Sequence, residues 1–85
     1  MKNGRMKMIM TDSQKEKYDL LTNELAALLT KLKGQKIEIK YYIDDRNKKE
    51  YVEIFDAHGK CLKQAEITGL IPALAVYNII GKMMI

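Results

Sequence analysis

The sequence predicts an α+β domain in the order α-β-β-β-α, a three-stranded antiparallel meander flanked by two helices. Three features lead to it. A leucine stripe at helical spacing runs from Tyr18 to Leu32, period-two strand patterns follow over 36–43 and over 50–55, and a nearly uncharged apolar stretch opens near Pro72.

The first helix is expected from about residue 14 to about residue 33. Ser13 and Glu16 stand in the S-x-x-E spacing of a capping box, in which side-chain oxygens satisfy the free N–H groups of the first turn. Tyr18, Leu21, Leu25, Leu28 and Leu32 recur at alternating spacings of three and four, and Leu29 widens the stripe. So short a stripe marks a core-facing helix rather than a coiled-coil seam. Lys31 and Lys33 favour the negative helix end, and Gly34 supplies the left-handed residue that closes it.

In K-I-E-I-K-Y-Y-I, Ile37, Ile39, Tyr41 and Ile43 fall on one face and Lys36, Glu38, Lys40 and Tyr42 on the other, the pattern of a half-buried strand. The polar D-D-R-N-K-K forms a turn. E-Y-V-E-I-F then makes a second strand, with Val52 and Ile54 opposite Tyr51, Glu53 and Phe55. Asp56-Ala57-His58-Gly59 reads as a type I turn with glycine at the left-handed position of a longer hairpin loop. Residues 60–67 form the third strand, whose facing stays open: Cys61, Ala65 and Ile67 oppose Leu62, Gln64 and Glu66. For the last helix Thr68 is the expected N-cap, Pro72 falls in the first turn, where a missing N–H costs little, and Gly81 frays or ends it. Between Leu70 and Ile80 only Asn78 is polar, so this helix is apolar nearly all round and needs cover on more than one side.

Residues 1–12 are read as a basic arm or a short extra edge strand, with Met6, Met8 and Met10 alternating against Arg5, Lys7 and Ile9. Residues 13–85 make one small domain, because a chain of 85 residues cannot fill two cores. No apolar run reaches the roughly 18 to 20 residues of a membrane span, so no integral membrane segment is expected. A single cysteine forbids an internal disulfide, and with no secretory pattern at the start the cytoplasm is the expected location.

Chemistry-bearing constellations are thin. His58 and Cys61 stand three residues apart across a turn, but a thiol nucleophile also needs an orienting group and an oxyanion site, so an exposed histidine beside a small apolar thiol is the better reading. Asp44, Asp45 and Glu50 could bind a cation or share a proton, yet Arg46, Lys48 and Lys49 compete for them, which points to a solvated turn. No Gly-rich phosphate loop, nucleophile elbow or metal-spaced Cys/His set is present. No enzyme is expected, and no catalytic, cofactor-binding or metal residue is assigned.

Binding is left. The expected function is that of a small non-enzymatic interaction protein, acting through protein–protein contacts as a homodimer. The surplus apolar surface of the last helix (Ile71, Leu74, Tyr77, Ile80 and Met84) would be covered by a second copy or another protein. The alternative is a nucleic-acid-binding module. Tyr42, Tyr51 and Phe55 interleave with Lys36 and Lys40 on one sheet face, the turn supplies Arg46, Lys48 and Lys49, and the arm supplies Arg5 and Lys7. The α-β-β-β-α order is that of double-stranded-RNA-binding domains, but the basic, glycine-flanked start of their second helix has no counterpart in T-G-L-I-P-A-L. Charge separates the two readings. The net +4 resides mostly in residues 1–10, which carry Lys2, Arg5 and Lys7 with no acid, whereas residues 34–69 hold seven bases and seven acids. A near-neutral body favours a protein partner over a phosphate backbone.

Overall fold

A computed structural model describes residues 10–84 of the chain. Arg5, Lys7 and the alternating stretch ahead of Met10 lie outside the described residues.

Helix α1 occupies residues 12–33 in three continuous stretches: α-helical over Asp12–Asp19, π-helical over Leu20–Leu25 and α-helical over Ala26–Lys33. Its cap is Thr11, not Ser13. The Thr11 hydroxyl accepts from the Gln14 N–H at 3.1 Å, and the Gln14 side chain accepts from the Thr11 N–H at 3.0 Å. This T-x-x-Q box wins over the overlapping S-x-x-E pair because it lengthens the helix by two residues and sets Asp12 in the first turn, where its carboxylate meets the positive helix end. Gly34 closes the helix at φ +73°, as expected.

The buried stripe also differs from the expected one. Lys17, Leu21, Leu25 and Leu29 are buried together with Ala26, whereas Tyr18, Leu28 and Leu32 are exposed. In an α-helix a spacing of four drifts by about 40° per step, so a strict four-residue stripe winds away from its sheet. In the π stretch the Ala26 N–H reaches the Leu21 carbonyl five residues back. The wider turn holds more residues, which keeps all four positions over the core.

The strands β1 (Glu38–Asp44), β2 (Lys49–Phe55) and β3 (Cys61–Glu66) form one antiparallel sheet in the order β1-β2-β3. Tyr41 faces Val52 and Val52 faces Ala65, so the inward positions line up across all three strands. Ile54 pairs with Lys63 but Phe55 with Cys61, which leaves Leu62 as the extra residue of a bulge. That bulge settles the facing of β3: Ala65, with Ile67 just beyond the strand, turns inward, and Cys61 is exposed. The β2–β3 turn is the expected one, with Gly59 at φ +83° and the Asp56 carboxylate accepting from the His58 and Lys60 N–H groups.

Helix α2 (Pro72–Met83) begins with Pro72 in its first turn and continues through Gly81. Ile71, not Thr68, holds the cap position. Thr68 is committed elsewhere, its hydroxyl accepting from the Glu50 N–H and donating to Glu66, both at 2.9 Å. A turn at Gly69 separates it from the helix.

Both helices pack on the same sheet face. Leu21, Leu25 and Leu29 of α1 and Ala75, Ile79 and Met83 of α2 enclose Ile39, Tyr41, Val52, Ile54, Ala65 and Ile67. α1 runs opposite to β1, with Tyr18 beside Tyr41 and Thr30 bonded to Ile37, while α2 lies against the first half of α1 and against β3. Among the described residues nothing covers the other sheet face. No helix among them is long and apolar enough to cross a membrane.

Candidate functional site

α2 is apolar on more sides than the core can use. Ala75, Ile79 and Met83 point inward, and Val76 borders a groove against Leu20, Leu25 and Leu28 of α1. Ile71, Leu74, Tyr77 and Met84 are exposed, Tyr77 to 76% and Leu74 to 51%. Ile80, grouped with them from the sequence, is half-buried and packs against the core instead. Asn78 and Lys82 are the only amide or charged residues of the helix, and the buried side-chain oxygen of Asn78 has no partner among the described residues.

The uncovered sheet face brings together the aromatic residues read as base-stacking candidates. The Tyr42 and Tyr51 rings lie 5.6 Å apart across β1 and β2, and the Lys40 ammonium sits 5.9 Å from the centre of the Phe55 ring. Acids are interspersed among them. Glu53, between the aromatic pairs, accepts from the Tyr42 hydroxyl and from Gln64. Burial and the Glu53 carboxylate raise the Tyr42 phenol above its ordinary value. Lys36 reaches Glu38 at 3.7 Å, Arg46 reaches Asp44 at 3.5 Å and Lys49 reaches Glu66 at 4.0 Å. Lys48 lies in the β1–β2 turn at φ +59°. The Asp44 carboxyl is held below its usual value, chiefly by the N–H of Arg46.

One polar cluster escaped the sequence reading. Glu50 is not a solvated turn acid: it is buried at the start of β2 on the core side, where it takes the ammonium of Lys17, the Tyr41 hydroxyl at 2.9 Å and the Gly69 N–H at 3.4 Å. Lys17 is equally buried. Burial by itself raises the Glu50 carboxyl, but the hydrogen bonds from Lys17, Tyr41 and Gly69 outweigh it and hold the group below its ordinary value. Burial and the same carboxylate push the Tyr41 phenol well above its own. The signal lay in periodicity: Glu50 precedes Val52 by two residues on a strand, and Lys17 precedes Leu21 by four on a helix. Tyr41 also borders a groove along the outer side of β1, but Lys17 and Glu50 are both buried against each other, so the chemistry of the pair is that of an internally neutralised contact.

His58 and Cys61 are both exposed and share no hydrogen bond; the Cys61 thiol donates instead to the Lys63 carbonyl. Among the described residues no three His, Cys, Asp or Glu side chains converge as metal ligands would. No protein-family model, curated protein or solved structure matches the chain.

Proposed function

We propose that the chain is a small non-enzymatic interaction protein, working through protein–protein contacts as a homodimer, with the outer face of α2 as its surface for a protein partner. The observation that carries this reading is the exposure of Ile71, Leu74, Tyr77 and Met84 along one side of a helix with almost no polar residues. Each such side chain gains about 1.5–3 kcal/mol on full burial, and grouped apolar residues on a small domain mark an interaction surface rather than a solvated face. An exposed free cysteine fits a reducing compartment, in keeping with the cytoplasm.

Two measurements test it. Sedimentation equilibrium is expected to give the mass of two chains, and a single-chain mass at every concentration overturns the homodimer. Leu74→Lys and Tyr77→Lys are expected to leave the unfolding free energy from urea titration within about 0.5 kcal/mol of wild type, because neither residue supports the isolated fold. A large loss of stability in either variant means that the face is already packed, and removes it as a docking surface.

A second reading is favoured by one observation, the collection of Tyr42, Tyr51, Phe55 and Lys40 on the uncovered sheet face, with Lys36 just ahead of β1 beside Glu38. It assigns that face, with Arg46, Lys48 and Lys49 of the turn and Arg5 and Lys7 of the arm, to single-stranded nucleic acid. It ranks second because the cations of the face have acid or aromatic partners and Glu53 stands among the rings. It predicts oligonucleotide binding that falls steeply with salt and with Tyr42→Ala or Tyr51→Ala. Binding indifferent to both eliminates it.

A further inference from the structure

We propose that the outer edge of β1, which no described strand covers, pairs antiparallel with β1 of a second copy, centred on Tyr41, so that two three-stranded sheets become one of six strands. The inference rests on the homodimer reading above and gives it a surface distinct from α2.

The direction of the backbone groups follows from β2. The Glu50 N–H donates to Thr68 and its carbonyl accepts from the Ile67 N–H, so both groups of Glu50 turn toward β3. Alternation along an antiparallel strand then turns Tyr51, Glu53 and Phe55 toward β1, and their partners Tyr42, Lys40 and Glu38 toward β2. The N–H and C=O groups of Ile39, Tyr41 and Ile43 therefore project outward from the sheet. Among the described residues no hydrogen bond outside the sheet ladder reaches them. The next outward residue, Ile37, is already satisfied: its N–H donates to the Thr30 hydroxyl at 2.9 Å, and that hydroxyl donates back to the Ile37 carbonyl at 3.4 Å. The open stretch is thus bounded by Thr30 at one end and the β1–β2 turn at the other.

This bounded edge selects a register. With Tyr41 facing Tyr41 of the copy, Ile39 faces Ile43 in both directions, and all three outward residues exchange backbone bonds at two per facing pair. Centring on Ile39 would require the groups of Ile37 that Thr30 holds, and centring on Ile43 would require residues of the turn. Side chains agree with the Tyr41 register. Ile39 meets Ile43 on the core side, and positions 40 and 42 face each other on the open side. Glu38 faces Asp44, but each carries its own cation, Lys36 and Arg46.

Space allows the approach. Grooves of about 410 and 440 Å³ run between α1 and this edge, bordered on the helix side by Tyr18, Thr22, Ala26, Ala27 and Thr30. Apart from Tyr18 these are small residues, and none carries a charge that would keep a second strand away. The Lys40 side chain leans back over Phe55. The opposite edge, β3, carries a bulge, the usual device against strand addition. α2 packs near β3, away from the proposed twofold axis, so its outer face stays open to a different protein.

The experiment is sedimentation of the full chain combined with amide exchange by NMR. Ile43→Pro removes an outward N–H and leaves the β2 ladder untouched. It is expected to weaken self-association at least tenfold, and Ala27→Lys, at an exposed helix position bordering the groove, is expected to do the same with no change to the strand. In the wild type the amides of Ile39, Tyr41 and Ile43 are expected to exchange slowly when dimeric and rapidly on dilution. A dimer that survives both variants but dissociates in Leu74→Lys overturns the edge pairing while the homodimer stands. Monomer at every concentration fails the homodimer reading itself. Protection of the three amides that is independent of concentration overturns the pairing and assigns the edge to a segment of the same chain.

Discussion

Glu50→Leu is expected to destabilise the fold by about 3–5 kcal/mol, far more than its position beside a polar turn suggests. The substitution leaves the Lys17 ammonium buried with no counter-charge and strips the Tyr41 hydroxyl and the Gly69 N–H of their acceptor. Lys17→Met alone leaves the opposite problem, a buried carboxylate held only by neutral donors. The double variant Lys17→Met/Glu50→Leu replaces the pair by apolar groups of similar size and is expected to recover to within about 1 kcal/mol of wild type or to exceed it, because two desolvation penalties vanish together. Urea unfolding of the four proteins closes the cycle. A loss below about 1 kcal/mol for Glu50→Leu would show that Lys17 finds water on its own, and with it that the pair does not shape the fold.

The same cluster sets the pH response. The Glu50 carboxyl lies below its ordinary value in the folded chain, so the folded state binds fewer protons than the unfolded state as pH falls. The contribution of Glu50 to stability is whole above the unfolded carboxyl value, near 4.5, and is lost as pH drops from there through the folded value. Tyr41 acts at the other end. Its phenol is raised, so its contribution is whole below the ordinary value of 10.0 and declines as pH rises past it. Glu50→Gln is therefore expected to flatten the acid limb of the stability profile, a difference that unfolding titrations from neutral pH downward would register.

The elements legible from sequence were those whose signal is local. Ile37, Ile39 and Tyr41 alternate because one face of β1 meets the core, and Val52 and Ile54 repeat the pattern without help from distant residues. The apolar excess of α2 was equally plain, since it needed only the near absence of polar residues between Leu70 and Ile80. What stayed hidden depended on long-range partners. Thr68 has the composition of a cap, but its hydroxyl serves the Glu50 N–H on another strand. The facing of β3 turns on the extra residue Leu62, a bulge that period-two counting cannot place. Glu50 had the right parity for the core, yet a carboxylate goes inside only with a cation, and that cation lies 33 residues earlier in the chain. On the open sheet face, alternation alone groups Tyr42, Tyr51 and Phe55. The edge of β1 that no described strand covers is not legible, because it is a property of backbone groups left over once the described strands have found their neighbours.

The leucine stripe offers the sharpest comparison between sequence spacing and packing. Leu21→Ala is expected to cost about 2–5 kcal/mol, the range for truncating a well-packed leucine, because Leu21 is fully buried between the sheet and α2. Leu32→Ala is expected to change stability by no more than about 0.5 kcal/mol, since Leu32 is 55% exposed. Counted by threes and fours, both belong to the same row, and an unbroken α-helix would give them comparable costs. The π stretch between them divides the row: it brings Lys17, Leu21, Leu25 and Leu29 over the core and turns Leu28 and Leu32 outward. Chemical denaturation of the two variants reads this directly. Equal losses would restore the regular helix with its face on Leu28 and Leu32, and would separate Lys17 from Glu50, because the widened turn that aligns Leu21 with Leu29 is also what holds Lys17 in the same row.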